Sequence, residues 1–379
     1  MAVDISIWEK ETFFARQDVV IVGSGLVGLW SAFYLKKAHP KLKITIVDRG
    51  LIPTGASTRN AGFACFGSLS ELVSDAQIMG TDRMLELVEM RFKGVERIQK
   101  YFGYKKIDFS LCGGYELYEE DKIAADKLQE NIAYLNSLLR PITKTKKTYR
   151  LADEMISLAG FGGTSHIVKN NAEGYLHSGK LVQALLRKVQ SMGVTVLTNI
   201  EISAIEYSDN NIEIRTSQQI NLSASQLLLC TNAFTKSLLP NLDIVPARGQ
   251  VLLTSPIANL PFEGTFHSDE GYYYFRNLGN RVLLGGARNK AFAEEATTDM
   301  QTSRFIQREL EAYLAKIILP GFQNQYTIER RWAGIMAFGA EKTPIVKQIS
   351  ANVFCAVRMS GMGVALAPVV AQQVTQMMH

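Results

Sequence analysis

Asp18-Val-Val-Ile-Val-Gly-Ser-Gly-Leu-Val-Gly28, with Ile44-Thr-Ile-Val-Asp48 downstream, is the stretch that decides the fold. An apolar run ends in a Gly-x-Gly-x-x-Gly turn and a helix-forming stretch follows. A second apolar run then ends in an acid 20 positions past the last glycine. Each part has a physical task. Gly23 permits the tight turn, Gly25 lets the backbone approach a pyrophosphate, and Gly28 lets the helix pack closely on the sheet. Phosphates then sit at the positive helix start, beside Leu26 and Val27. Asp48 is placed to accept hydrogen bonds from ribose hydroxyls, with Arg49 next to it. A glycine-rich turn alone also suits an unliganded strand–helix–strand unit. Both strands and the acid at this spacing make the reading a dinucleotide site in an α/β domain.

Composition bounds the rest. A chain of 379 residues suggests about two domains, and 47% apolar with 20% charged residues is ordinary for a globular protein. The net charge of +5 comes from interspersed charges, so nucleic acid is not an expected partner. The densest basic run, Lys144-Thr-Lys-Lys147, reads as a solvated loop. Cys65, Cys112, Cys230 and Cys355 lack metal-ligand spacing and suit a reducing compartment; no metal is expected. The apolar run from Val19 to Leu35 is broken by the glycine turn and is short for a bilayer, so no integral membrane segment is expected. The first residues lack a basic lead into an apolar core, which argues against a secretory signal and for a cytoplasmic location. Trp8, Phe13 and Phe14 are expected to pack an N-terminal arm onto the body.

Periodicity orders the remainder. Leu85, Val88, Phe92 and Val95 share one helix face, and Leu128, Ile132, Leu135 and Leu139 another, with a strand at Gly114-Tyr-Glu-Leu-Tyr118 between. A helix carrying Leu181, Val182, Leu185 and Leu186 precedes two buried parallel strands, Val194-Thr-Val-Leu197 and Gln226-Leu-Leu-Leu-Cys230. Strands dominate from Arg248 to Gly286, a helix follows from about Ser303 to Ile318, and the chain ends in strand, glycine turn and helix. Nucleotide-type elements thus come in three separated pieces, which predicts two interleaved domains.

The pieces in this order resemble the D-amino-acid-oxidase-like superfamily of FAD-dependent oxidoreductases, which includes glycine and sarcosine oxidases and γ-glutamylputrescine-type amine oxidases. The matching motifs are the N-terminal fingerprint, Gly55-Ala-Ser-Thr-Arg-Asn-Ala-Gly62, Glu173-Gly-Tyr-Leu-His-Ser-Gly-Lys-Leu181 and Cys230-Thr-Asn-Ala-Phe234. Pro246-Ala-Arg-Gly-Gln250, Trp332-Ala-Gly-Ile-Met336 and Ser360-Gly-Met-Gly-Val364 complete the set. The resemblance implies a Rossmann-like FAD domain of the GR2 type, at residues 1–85, 160–243 and 325–379. Interleaved with it would be a smaller α+β substrate domain on an antiparallel sheet, at 86–159 and 244–324.

It also implies which residues meet FAD: the fingerprint, then Ser57, Thr58, Arg59, Asn60, Ala61 and Gly62. Ile202, Thr231, Asn232, Ala233 and Gly334 follow, and at the C-terminus Arg358, Ser360, Gly361, Met362, Gly363 and Val364. The residues agree in part. The helix start at Gly361-Met-Gly363 would stabilise negative charge on a reduced flavin, though a plain strand–helix turn reads the same way. Asn232 stands where many flavoproteins have glycine, and Asn tolerates a left-handed backbone. The implied reaction removes hydride from a C–N bond, giving an imine that water hydrolyses.

Departures from the family concern the substrate. The arginine that holds a substrate carboxylate in glycine and D-amino-acid oxidases aligns near Met336, and the basic pair of sarcosine oxidases near Gly62 and Ala365. Neither place is basic, which favours an amine over a small amino acid unless another cation serves. Arg276, expected to share a strand face with Tyr272 and Tyr274, is one candidate; Arg288 and Arg358 are the others. Tyr272, Tyr273 and Tyr274 form the expected substrate wall, with Met336 and Phe338 as apolar lining. No cysteine lies between Tyr326 and Val346, where covalent members attach FAD, so noncovalent binding is expected. The oxygen-activating lysine of sarcosine oxidases aligns with Leu284, which leaves oxygen or an electron carrier as the acceptor. The rival readings are an amino-acid or imino-acid dehydrogenase, a flavin-binding protein without turnover, and a nicotinamide-dependent reductase.

Overall fold

The computed structural model describes residues 4–119, 123–208 and 211–378. Two compact units emerge, each assembled from separated stretches of chain. The first comprises Met1–Arg59, Ser178–Ala247 and Ile335–His379. Its sheet runs in the order Ile345–Ser350, Val353–Val357, Asn221–Leu229, Gln17–Val22, Ile44–Val47, Thr195–Leu197. All neighbours are parallel except the first pair. Val19, Val20, Ile21, Ile44 and Ile46 are wholly buried, as near-continuous apolar strands covered on both faces require. Helix Leu26–Ala38 buries ten of its thirteen residues and packs on Gly363–Met377 and Ser178–Ser191.

Two glycines make the first turn possible. Gly23 has φ +105°, a conformation other residues rarely adopt. A Cβ at Gly28 would lie 2.0 Å from the Gly23 carbonyl oxygen, so helix and turn touch through bare backbone.

The second unit comprises Asn60–His177 and Arg248–Gly334. It is built on a sheet ordered Ile328–Phe338, Val245–Thr254, Arg281–Gly286, Tyr273–Leu278, Thr265–Ser268, Gly114–Glu119, Thr164–Asn170, Tyr149–Leu151. Alternation along these strands separates two faces. One packs Phe161, Phe262, Phe266 and Phe275 ring to ring, with Leu310 and Tyr313 of helix Arg304–Tyr313 against them. The helices Leu69–Met79, Thr81–Phe102 and Ala125–Thr143 form a further core around Leu72, Val88, Leu135 and Leu139.

Residues 60–85, 160–177 and 325–334 group with the second unit, not with the first as the sequence suggested, and 244–247 group with the first. Helix Leu69–Met79 packs on the other two helices of this core, and Thr164–Asn170 is an inner strand of the second sheet. The N-terminal arm also departs from expectation. Helix Ile7–Glu11 buries no residue, and Trp8 and Phe13 are 75% and 54% exposed. A capping box between Ser6 and Glu9 holds this short helix instead of packing. Among the described residues no helix is long and apolar enough to cross a membrane, and no group of His, Cys, Asp and Glu is arranged to hold a metal ion.

Candidate active site

In the first unit the fingerprint forms a cradle of backbone donors. Helix Leu26–Ala38 starts at Gly25, which supplies no side-chain cap, so the N–H groups after Leu26 stay open to an anion. Ser57, in the turn Ala56–Thr58, accepts the Leu26 N–H at 2.9 Å and ties the second loop to the first. Asp48 accepts from the Ser24 N–H at 2.8 Å, the Ser24 hydroxyl at 2.6 Å and the Gly50 N–H at 2.9 Å. A carboxylate offers about four acceptor positions, so one remains for a ribose hydroxyl. Arg49 stacks on Phe234, 3.8 Å from guanidinium carbon to ring centroid. Arg59 donates from Nε to the Thr54 carbonyl at 2.9 Å. Ile202 opens an antiparallel strand, Ile202–Tyr207, and pairs with Thr216.

The C-terminal turn of the same unit is wound tightly. Asn232, Arg358, Ser360 and Gly361 have φ of 48°, 61°, 47° and 81°. The three that are not glycine cost about 1 kcal/mol each in this conformation. Asn232 thus takes the left-handed form its place demanded, and its Oδ1 accepts the Arg358 N–H at 3.2 Å. Beyond the turn, helix Gly363–Met377 begins without a side-chain cap, and the buried Ser360 hydroxyl has no partner among the described residues. Met336 and Phe338 line the Gly361 turn.

Arg358 is not a substrate clamp. Its Nη1 donates to Asp243 Oδ2 at 2.6 Å and to the Asp243 carbonyl at 3.1 Å, while Nε and Nη2 donate to the Thr343 carbonyl at 3.2 and 3.0 Å. The residue is 6% exposed, and its side chain staples three stretches of its own unit. Sequence could not show this, because Asp243 lies 115 positions away.

In the second unit the sheet face opposite the phenylalanine core carries Tyr274, Arg276 and His267. Tyr274 pairs with His267 in register, and Arg276 follows Tyr274 by two. Tyr272 is not on this face: the strand begins at Tyr273, and Tyr272 sits in an αR turn with its ring against Phe292. Tyr273 points to the other side and stacks on Tyr313 at 4.1 Å. Leu284 is likewise buried among the phenylalanines, whereas Leu283 joins Ala61, Val251, Leu253, Phe63, Tyr274 and Trp332. Arg288 stacks on Phe292, 4.7 Å from its ring.

A two-stranded ribbon, Phe63–Ala64 with Gly174–Tyr175, bears on this face. Phe63 meets His267 and Tyr274 edge-on at 5.0 and 5.9 Å, and Tyr175 covers the Arg276 guanidinium at 4.5 Å. The loop following Ala64 is braced from both sides. Glu173 accepts the Phe66 and Gly67 N–H groups at 2.7 and 3.0 Å, while Arg91 and Tyr149 donate to the same residues' carbonyls. Asn60 Oδ1 accepts the Gly62 N–H at 2.8 Å and shapes the approach to the ribbon. Phe63, Tyr175, His267 and Trp332 were not among the expected site residues. Phe63 and Tyr175 lie beside or within quoted motifs, so motif adjacency was the available signal.

Electrostatics separate the polar groups of this face. Burial holds His267 down to about 4, so its ring is neutral at pH 7. Burial also pushes Arg276 down to about 10, with Tyr175, Cys112 and Asp108 pulling the other way. Arg276 is 4% exposed, and its Nε and Nη1 are buried without partners among the described residues. Each buried unsatisfied donor costs about 1–3 kcal/mol, more when charged. Stacking on Tyr175 returns about 0.5–2 kcal/mol, which does not offset two.

The remaining acceptor position on Asp48, two uncapped helix starts and the orphaned Ser360 hydroxyl fit a dinucleotide carrying a polar ring system. Comparison with known proteins agrees. The family model for "FAD dependent oxidoreductase" matches residues 18–377. The Haemophilus influenzae protein "Probable oxidoreductase OrdL" is 23% identical, over 94% of this chain and 81% of its own length. Glycine oxidase from Geobacillus kaustophilus superposes with TM-score 0.75 at 19% identity, covering 96% of this chain and 95% of that one. L-proline dehydrogenase from P. horikoshii gives TM-score 0.75, also at 19% identity, covering 96% and 93%. The fold is shared with these flavoproteins, and the family match rules out the nicotinamide alternative. The chain belongs to the FAD dependent oxidoreductase family and is an oxidoreductase that uses FAD.

Proposed function

We propose that this protein oxidises a C–N bond of an amine or amino acid, releasing an imine that water hydrolyses. The observation that carries the reading is the second unit's sheet face: Phe63 set edge-on against Tyr274 and a neutral imidazole, with Tyr175 over a buried cation. The names of two structural relatives, a glycine oxidase and an L-proline dehydrogenase, support amino-acid-type donors. In this reading the first unit holds FAD noncovalently through the fingerprint, the 57–59 turn, Thr231 to Ala233 and the 358–364 turn. The second unit holds the substrate.

Bound FAD supplies the two-electron acceptor. The chain's own residues bind, orient and exclude water. Aromatic rings hold the donor in one orientation, which converts binding into rate without a nucleophile or acid–base pair. The buried Arg276 cation on the same face disfavours an ammonium beside it, and neutral His267 can accept a hydrogen bond from the substrate nitrogen, whose lone pair is then free to form the imine.

The test is the visible spectrum of the purified protein under anaerobic addition of an amine and amino-acid panel. Bleaching of the flavin band by a member of the panel is the expected result. A flavin band that no C–N donor bleaches counts against the reading, and protein that takes up no FAD on reconstitution sinks it. Oxygen uptake against dye reduction then sorts oxidase from dehydrogenase.

A further inference from the structure

We infer that the second unit carries an anion-binding groove, separate from the residues of the candidate active site, for a small phosphate-bearing molecule with a flat apolar body, such as a nucleoside monophosphate. The groove, of about 550 Å³, runs along helix Ala125–Thr143 and is bounded on its far side by Lys146, Lys147 and Leu151. Its size falls within the ~300–1,000 Å³ of small-molecule sites. Leu128, Leu135 and Leu139 turn into the core, which leaves the helix face bearing Ile132, Ala133, Ser137 and Arg140 to line the groove.

Charge identifies the ligand class. Five cations lie between positions 140 and 150, with no acid among them. The fold satisfies two: Lys144 donates to the Pro141 carbonyl at 2.5 Å, and Arg150 pairs with Glu154 at 3.2 Å. Arg140, Lys146 and Lys147 all line the groove, and their side chains have no hydrogen bond or ion pair among the described residues. No carboxylate lines it, so the three charges repel one another until an anion enters. A phosphate dianion matches them, with Arg140 offering a fork and the lysines two point charges. Ile132, Ala133 and Leu151 present carbon beside the cations, which suits a flat ring attached to the phosphate.

The frame is set in advance. Asn136 accepts the Tyr149 N–H and donates to the Tyr149 carbonyl, both at 2.8 Å. The Thr143 and Thr148 hydroxyls are 2.9 Å apart, and Asn171 donates to the Lys147 carbonyl at 3.0 Å. A loop backbone held before binding lowers the ordering cost. Free cations gathered in one groove, on a chain whose charges are otherwise interspersed, favour a small anion over a nucleic acid or a membrane surface.

AMP, adenosine and inorganic phosphate are the probes, titrated calorimetrically into FAD-loaded protein so that the dinucleotide site is already filled. Wild type is expected to bind AMP about tenfold more tightly than either adenosine or phosphate. Arg140→Gln, and Lys146→Gln with Lys147→Gln, change exposed positions and should each weaken AMP about fivefold, with flavin content and melting temperature unchanged. AMP that binds no better than adenosine would overturn the inference, as would an AMP affinity unchanged in both variants. Phosphate binding as tightly as AMP would mean an adventitious ion only and would overturn it too. So would Arg140-dependent binding of phosphatidylglycerol vesicles by protein that does not bind AMP, because the groove would then be a lipid-docking patch. The titration needs no turnover, so its outcome is independent of the C–N oxidation proposed above.

Discussion

Two buried arginines, one in each unit, meet opposite fates. Arg358 in the C-terminal turn is 6% exposed and directs four hydrogen bonds to Asp243 and Thr343. Arg276 on the sheet face is 4% exposed and leaves Nε and Nη1 without partners among the described residues. Burial is the same; satisfaction is not. A guanidinium matched by its own fold stabilises that fold, because removing it strands the carbonyls and carboxylate arranged around it. A guanidinium left unmatched destabilises the folded state, which suits a residue whose partner arrives from outside. The difference separates a structural cation from a binding one more sharply than depth or sequence neighbourhood can.

The largest effect should come from breaking the satisfied arginine. Arg358→Met is expected to destabilise the protein by ~2 kcal/mol, the cost of losing the hydrogen bonds of one buried guanidinium while half-exposed Asp243 returns to water. Chemical denaturation with flavin and far-ultraviolet probes measures it, and a variant as stable as wild type would dissolve the contrast. Arg276→Met should move the other way. Replacing an unmatched buried charge by an apolar chain of similar length is expected to raise stability by ~1 kcal/mol. A variant that melts below wild type would mean that Arg276 is structural after all. Asp243→Asn tests the middle of the range. Asp243 is half exposed, so solvent screens the pair, and the amide oxygen can still accept from Arg358. The expected loss is ~1 kcal/mol, and a loss as large as that of R358M would show that the carboxylate charge dominates the staple.

Much of this was legible before any coordinates. The fingerprint, Asp48 and the left-handed turn at Asn232 follow from backbone sterics and helix-end electrostatics, which act over a few residues and leave local traces. The parallel character of two strands and the buried helix faces followed from apolar periodicity. What stayed hidden depends on partners remote in sequence. Arg276 and Arg358 read alike in a string of letters, and only the presence of Asp243 beside one and Tyr175 over the other tells them apart. Tyr272 was misplaced by one residue of strand register, because alternation predicts a face only once the strand's first residue is known. The ribbon bearing Phe63 and Tyr175 is two residues long on each side, too short for any periodic signal.

The ribbon's support offers the smallest and most specific test. Glu173 is wholly buried and accepts two backbone N–H groups, yet burial pushes its carboxyl up to about 8, with Glu71 adding to the rise and Arg91 opposing it. An unfolded chain releases that proton near the ordinary carboxyl value of 4.5. Between those values the unfolded state binds fewer protons than the folded one, so stability falls as pH rises from about 4.5 to about 8 and levels off above. His267 acts at the acid end. Its folded value of about 4 lies below the ordinary 6.5, so stability falls as pH drops from 6.5 to 4. Glu173→Gln keeps the acceptor for Phe66 and Gly67 and removes the titration. Its melting temperature should match wild type near pH 5 and exceed it by a few degrees at pH 8, with the acid-side decline unchanged. Parallel melting curves from pH 5 to 8 would mean that Glu173 is already ionised in the folded protein. The brace would then be a matched carboxylate, closer in kind to Arg358 than to Arg276.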